Sequence, residues 1–203
     1  MLAESLCLLH NGAEMRIIGG ERRGHRLVEW HAAGIRPLRD RVRAALFDTL
    51  GGLVRDAEFL DLFAGTGAVG LEALSRGARR ATFVDSSNKA IRIIRANLKK
   101  LRYGDRAEVI RADALEAIRK LWRRGRRFDL IFIGAPYSQG LTQEALKLLS
   151  HHNLLREGGL LVVEVHKSET LAPRYGDLVQ IQDRDYGDSR LVFYEFVTGE
   201  GSA

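Results

Sequence analysis

The chain has 203 residues, 45% of them apolar and 29% charged, which suits one globular domain with at most a small appendage. Its net charge is +6, its pI is about 9.8 and its single cysteine is Cys7, so an intramolecular disulfide and a thiolate metal site are excluded. The one apolar run near the start, residues 6–9, is too short to span a bilayer and lacks the flanks of a signal peptide. The expectation is a cytoplasmic protein with no membrane partner.

In chain order, residues 1–14 show no period and read as a flexible leader. Residues 15–18 and 26–28 flank Gly19-Gly20 and Gly24 and suggest a short hairpin. Residues 35–40 read as a loop, and 41–50 as a helix with Asp40 as N-cap and Gly51-Gly52 at its end. From residue 58 onward apolar strands alternate with helices: strands over 58–63, 80–85, 107–111, 128–133 and 159–165, and helices over 68–76, 87–101, 114–122 and 141–150. The runs 177–181 and 191–197 close the chain as an edge hairpin, with 199–203 as a tail. Strands separated by helices imply a parallel sheet covered on both faces. The fold class expected is α/β: a mostly parallel seven-stranded sheet with an antiparallel C-terminal edge hairpin, and a small N-terminal hairpin and helix over 15–52 ahead of the main domain, 53–198.

Between the first strand and its helix stands Gly65-Thr66-Gly67-Ala68-Val69-Gly70. The spacing fits a dinucleotide fingerprint as well as a methyl-donor site. The neighbouring acids decide between them. Asp61 precedes the loop, and a carboxylate there repels a pyrophosphate while favouring the ammonium and sulfonium of S-adenosylmethionine (SAM). Asp85 ends the second strand, placed to accept from ribose hydroxyls, and Asp113 follows the third, within reach of an adenine amino group. Taken singly, each acid could be a helix cap; three at consecutive strand ends around a glycine loop point to SAM. The expected cofactor residues are Asp61, Phe63, Ala64, Gly65, Thr66, Gly67, Asp85, Ser86, Asp113 and Ala114. The histidines and acids show no metal-ligand spacing, so no metal is expected.

The segment from Phe59 to Ala78, FLDLFAGTGAVGLEALSRGA, resembles the cofactor motif of the RsmD-type bacterial 16S rRNA (guanine-N2)-methyltransferases. So do Met15-Arg16-Ile17-Ile18-Gly19-Gly20, the block Arg36-Pro37 with Asp40-Arg41-Val42-Arg43 and Ala45-Leu46-Phe47, and Tyr186-Gly187-Asp188-Ser189 with Leu191. The resemblance implies a Rossmann-like SAM-dependent methyltransferase fold, methyl transfer to the exocyclic N2 of a guanine, and 16S rRNA or the small ribosomal subunit as partner of a monomer. It assigns the catalytic loop to Gly134, Ala135, Pro136 and Tyr137. Where the family pattern reads Asp-Pro-Pro-Tyr, this chain reads Gly-Ala-Pro-Tyr. An exocyclic amine is a poor nucleophile, so such a site works by holding it in line with acceptors. The loop carbonyls remain, and Tyr137 is expected to stack on a base drawn out of its stack. Asp129, mid-strand, is a poor substitute for the missing acid; Glu164 and His166 are closer.

The charge is unevenly spread. Eight arginines lie between Arg16 and Arg43, and six basic residues lie between Arg119 and Arg127. Two such runs suggest a polyanion, with Arg16, Arg22, Arg23, Arg26, Arg36, Arg39 and Arg41 as the expected RNA contacts. Two other functions stay open at this level: a catalytically impaired SAM-binding RNA-binding protein, and a methyltransferase acting on DNA or another amine.

Overall fold

The structure, a computed structural model, describes residues 15–28, 38–137 and 140–197. Its frame is one eight-stranded sheet in the order β3-β2-β1-β4-β5-β8-β7-β6. The strands β1 (Glu58–Leu62), β2 (Arg80–Asp85), β3 (Ala107–Arg111), β4 (Phe128–Ile133) and β5 (Leu155–His166) run parallel. The strands β6 (Arg174–Tyr175), β7 (Leu178–Tyr186) and β8 (Ser189–Phe196) pair antiparallel on the edge of β5. The chain reverses direction in strand order between β1 and β4, and in such sheets the crevice at the carboxyl ends of the strands is where ligands bind.

Five helices cover the sheet: α1 (Asp40–Leu50), α2 (Ala68–Ser75), α3 (Asn88–Leu101), α4 (Ala114–Arg123) and α5 (Leu141–His151). Each buries an apolar stripe, as Ile91, Ile94, Leu98 and Leu101 do on α3. One core holds Leu46 and Phe47 of α1, Leu71 of α2, Ile94 of α3 and Phe59 of β1. The other, on the opposite face, holds Ile118 and Leu121 of α4, Leu146 and Leu149 of α5, and Ile131 of β4.

Three local features differ from the sequence reading. The sheet has eight strands and not seven, because the two-residue β6 pairs with Leu178 and Val179; a run that short carries no periodicity. Strand β5 begins at Leu155, four residues before the expected start, since Gly158-Gly159 lies in an irregular stretch of the strand and not in a turn. The short hairpin expected at the N-terminus is present: Arg16 bridges Arg26 antiparallel, Ile17 N–H donates to the His25 carbonyl at 3.0 Å and Leu27 N–H to the Met15 carbonyl at 2.8 Å. The N–H groups beyond that pairing go to side chains of the main domain: Ile18 and Gly19 N–H donate to Glu72, and Val28 N–H donates to Asn97 Oδ1. Finally, Asp40 is the first residue of α1 and Arg39 its cap position, without a side-chain cap bond. The Asp40 carboxylate turns instead to Arg43, at 3.0 Å, and to Arg16, at 3.8 Å.

The N-terminal segment is built into the main core: Met15, Ile17 and Leu27 are buried in the same cluster as Phe59 and Leu71. A buried charge network fixes it there. Glu72, fully buried in α2, accepts from Ile18 N–H at 2.8 Å, Gly19 N–H at 2.7 Å and Arg76 Nε at 2.8 Å, and lies 3.7 Å from Arg43 Nε. Arg43 is itself fully buried and donates to the Arg16 carbonyl and to Asp40. Burial pushes its guanidinium pKa down, and the carboxylates of Glu72 and Asp40 pull it back up. Removing one partner from such a network strands the other. Glu72→Ala should therefore cost about 3–5 kcal/mol of stability in urea unfolding, and adding Arg43→Met should recover a large part of that loss. A double variant no more stable than the single would show that the two charges are not coupled.

Candidate functional site

The carboxyl ends of β1, β2, β4 and β5 open onto a cleft of about 480 Å³, a volume suited to a cofactor-sized ligand. Its walls include Phe63, Gly65, Asp85, Ser86, Asp113, Ala114, Glu164 and the loop Gly134, Ala135, Pro136 and Tyr137. A smaller recess of about 90 Å³ adjoins it, lined by Leu38, Asp61, Ala64, Thr66 and Phe132. Phe63, Gly65, Gly134 and Glu164 line both spaces and mark where they meet.

Two aspartates shape the glycine loop. Asp85, at the end of β2, accepts from Gly65 N–H at 2.8 Å through one carboxylate oxygen and from Ser87 N–H at 2.8 Å through the other. Asp61, buried in β1, accepts from Gly70 N–H at 2.9 Å. Burial pushes the Asp61 carboxyl up to about 8, against the lowering effect of the Gly70 N–H, and the nearby Asp85 charge adds to the rise. A cation in the recess would draw Asp61 back towards its ionised form. Gly65 has φ +56, and a Cβ there would meet nothing within 4 Å; its bare backbone therefore lets a ligand lie against the loop. Phe63, beside it, also has a positive φ, +61, a strained conformation for an aromatic residue. Asp113 caps α4 by accepting from Leu115 and Glu116 N–H through Oδ1, and it lines the cleft as well; the cap and the site are the same residue. An open glycine, two half-satisfied acids and a cleft of this size fit an adenosine-bearing cation.

Gly67 departs from expectation. It does not line either space; it precedes α2 with φ +78, and a Cβ there would lie 3.0 Å from Ile94 and 3.4 Å from Phe83. It serves the packing of α2, as does Gly70, whose Cβ would clash with the Phe83 ring at 2.3 Å. Leu38, Phe132, Val84, Ser87 and Leu141 also line the site, and of these only Leu38, beside the basic run, carried any signal in the sequence.

The loop from Gly134 to Tyr137 leaves β4 next to the end of β5. Tyr137 Oη donates to Glu164 Oε1, and Ser189 Oγ lies 3.3 Å from the same hydroxyl. The His166 ring is 5.7 Å from that of Tyr137, its Nδ1 is 2.6 Å from Ser168 Oγ, and it lines neither space. Asp129 sits at the other end of β4, bound to Glu58 N–H and Arg156. A Cβ on residue 134 would come 2.9 Å from the ring of Phe132.

The arginines do not form one patch. Arg16, Arg23, Arg26, Arg39 and Arg41 are exposed, and Arg39 and Arg41 flank the start of α1, next to Leu38 of the recess. Arg22 turns towards the far end of α2: its N–H donates to Ser75 Oγ, and its guanidinium lies 5.9 Å from the Tyr103 ring centre. Arg36 lies outside the described residues. The second basic run ends just before β4, at the opposite edge of the sheet from the cleft, with Arg126 paired to Glu108 at 2.7 Å.

The sheet order, the glycine loop and the acids at the strand ends define the class, a Rossmann-like SAM-dependent methyltransferase. Within that class the chain belongs to the family described as "conserved hypothetical protein 95", whose model matches residues 15–195. It is 35% identical over 181 residues to a protein of Bacillus subtilis named putative rRNA methyltransferase YlbH, covering 89% of this chain and 98% of that one. It is 38% identical over 156 residues to the Escherichia coli ribosomal RNA small subunit methyltransferase D, covering 76% and 77%. A solved structure, the putative methyltransferase yhhF of Escherichia coli, superposes with a TM-score of 0.77 at 30% identity, over 91% of this chain and 98% of that one.

The raised carboxyl of Asp61 has a measurable consequence. Between about pH 4 and about pH 8 the folded chain holds more protons on this group than the unfolded chain. Its contribution to stability is therefore full below that window and is lost as pH rises through it. Asp61→Asn should flatten the decline in urea-unfolding stability between pH 5 and pH 8, by at most about 1.4 kcal/mol per pH unit. Identical pH slopes in parent and variant would refute the perturbed carboxyl.

Proposed function

We propose that this chain transfers the methyl group of SAM to the exocyclic N2 of a guanine in 16S rRNA. One observation carries the reading: the loop from Gly134 to Tyr137 stands where the 480 Å³ cleft meets the recess beside the basic start of α1. A donor with its adenosine in the cleft and its ammonium reaching the recess would hold its methyl group at that junction, beside the loop. The naming of relatives as ribosomal RNA methyltransferases supplies the substrate class.

In this reading Asp85 accepts from the ribose hydroxyls with the lone pairs that Gly65 and Ser87 leave free. Asp113 faces the adenine amino group, and Asp61 faces the ammonium. Bound SAM supplies an electrophilic methyl carbon on a sulfonium. The protein's work is positional: loop carbonyls accept from the amine, and Tyr137 offers its ring to an unstacked base. Arg39 and Arg41, beside Leu38 of the recess, and Arg16, 3.8 Å from Asp40, bind phosphates near it, Arg23 and Arg26 bind phosphates further along the exposed face, and Arg22 and the 119–127 run lie away from it.

A second reading has one observation in its favour. Residue 134 brings no carboxylate, which suits a SAM-binding RNA-binding protein with impaired transfer. Tritiated methyl transfer to small subunits that lack base methylation separates the two: label in 16S rRNA supports the enzyme, and SAM binding without label supports the other.

Two further outcomes are expected. Asp85→Ala should weaken SAM binding by about 2 kcal/mol in calorimetry, through loss of charge-assisted hydrogen bonds; an unchanged affinity would mean that the ribose lies elsewhere. Neutralising Arg16, Arg39 and Arg41 together should reduce the salt slope of RNA binding by about two units, at roughly 0.7 per phosphate. Neutralising Arg119, Arg123 and Arg124 should leave that slope nearly unchanged.

A further inference from the structure

The carboxylates at the site divide by position. Asp85 and Asp113 line the cleft alone, and Asp61 lines the recess alone. Glu164 lines both, and it is 8% exposed. Strands β4 and β5 are parallel with Ile133 opposite Val163, so Glu164 stands one residue further along, beside Gly134. The place of a side chain at 134 is partly filled by the Phe132 ring, 2.9 Å from where a Cβ would be. Tyr137 Oη donates to Glu164 Oε1. A carboxylate has room for about four such bonds, so this one orients Glu164 without exhausting it.

We propose that Glu164 is a catalytic residue: its carboxylate accepts a hydrogen bond from the exocyclic amine of the target base, and Tyr137 positions it. The assignment rests on the amino-methyltransferase reading above. As the nitrogen lone pair forms the new N–C bond, the C–S bond breaks with its electron pair left on sulfur, which becomes a neutral thioether. The methylated nitrogen then sheds one proton to Glu164, which passes it to solvent. The acceptor thus comes from β5, one strand over from the loop that departs from the family pattern.

The test compares the parent, Glu164→Gln, Glu164→Asp and Gly134→Asp. In single-turnover transfer to unmethylated small subunits, Glu164→Gln should fall roughly ten- to hundredfold, as loss of a charge-assisted bond predicts, while SAM affinity stays within about twofold. Glu164→Asp keeps a carboxylate and should recover part of the rate. Gly134→Asp should give no gain. A rate within twofold of the parent in Glu164→Gln, or a rise in Gly134→Asp, overturns the proposal. A second readout needs no methyl donor. Guanosine monophosphate should bind the parent more tightly than inosine monophosphate, which lacks the amine, and Glu164→Gln should narrow the difference; where the labelled base is guanine, equal affinities in the parent overturn the proposal. Transfer to a different amine, with the same loss in Glu164→Gln, would remove guanine as substrate and keep Glu164. Transfer to guanine at full rate in Glu164→Gln would do the reverse.

Discussion

The site depends on two backbone-to-carboxylate bonds. Gly65 N–H donates to Asp85 and Gly70 N–H donates to Asp61, which pins both ends of the glycine loop to neighbouring parallel strands. A loop with three glycines would otherwise sample many shapes, and fixing each residue costs about 1–2 kcal/mol of backbone entropy. The acids that were expected to meet a ligand hold the glycine loop in place. Their cost is visible in the buried Asp61, whose carboxyl is pushed up to about 8.

From that loop the remaining geometry follows. Helix α2 starts where the loop ends and is buried along its whole length, so it can serve as a floor for the N-terminal segment. Glu72 binds that segment on one side, and Asn97 on α3 joins Val28 to the Thr66 carbonyl on the other. The segment thereby brings Arg16 to Asp40 at the start of α1 while contributing Met15 and Ile17 to the core.

Much of the fold was legible because its signals are local and repeated. Strands β2, β3 and β4 have the boundaries that period and flanking residues gave, since each is a short apolar run bounded by clear breakers. The misses have local causes: β6 is two residues long and too short to show a period, and β5 runs back through Gly158-Gly159, residues that read as a breaker. At the site, spacing after strands picked out Asp61, Asp85 and Gly65, which line the cleft or the recess, and also Gly67, which lines neither and packs against Ile94 and Phe83. Glu164 was only a neighbour by strand order until the Tyr137 bond placed it. Phe132 carried no signal, because an apolar residue in an apolar strand looks the same whether or not its ring fills a neighbour's place.

The bonds from residues 18 and 19 to Glu72 span 54 and 53 positions. During synthesis the N-terminal segment leaves the ribosome first and must wait for its partner. At roughly 5–20 residues per second that delay is about 3–11 s. Through it Met15, Ile17 and Leu27 have no core to enter, and the arginines among them keep the nascent stretch strongly cationic. The charge that suits a nucleic-acid surface in the finished protein also keeps an unfinished one from sticking to its neighbours.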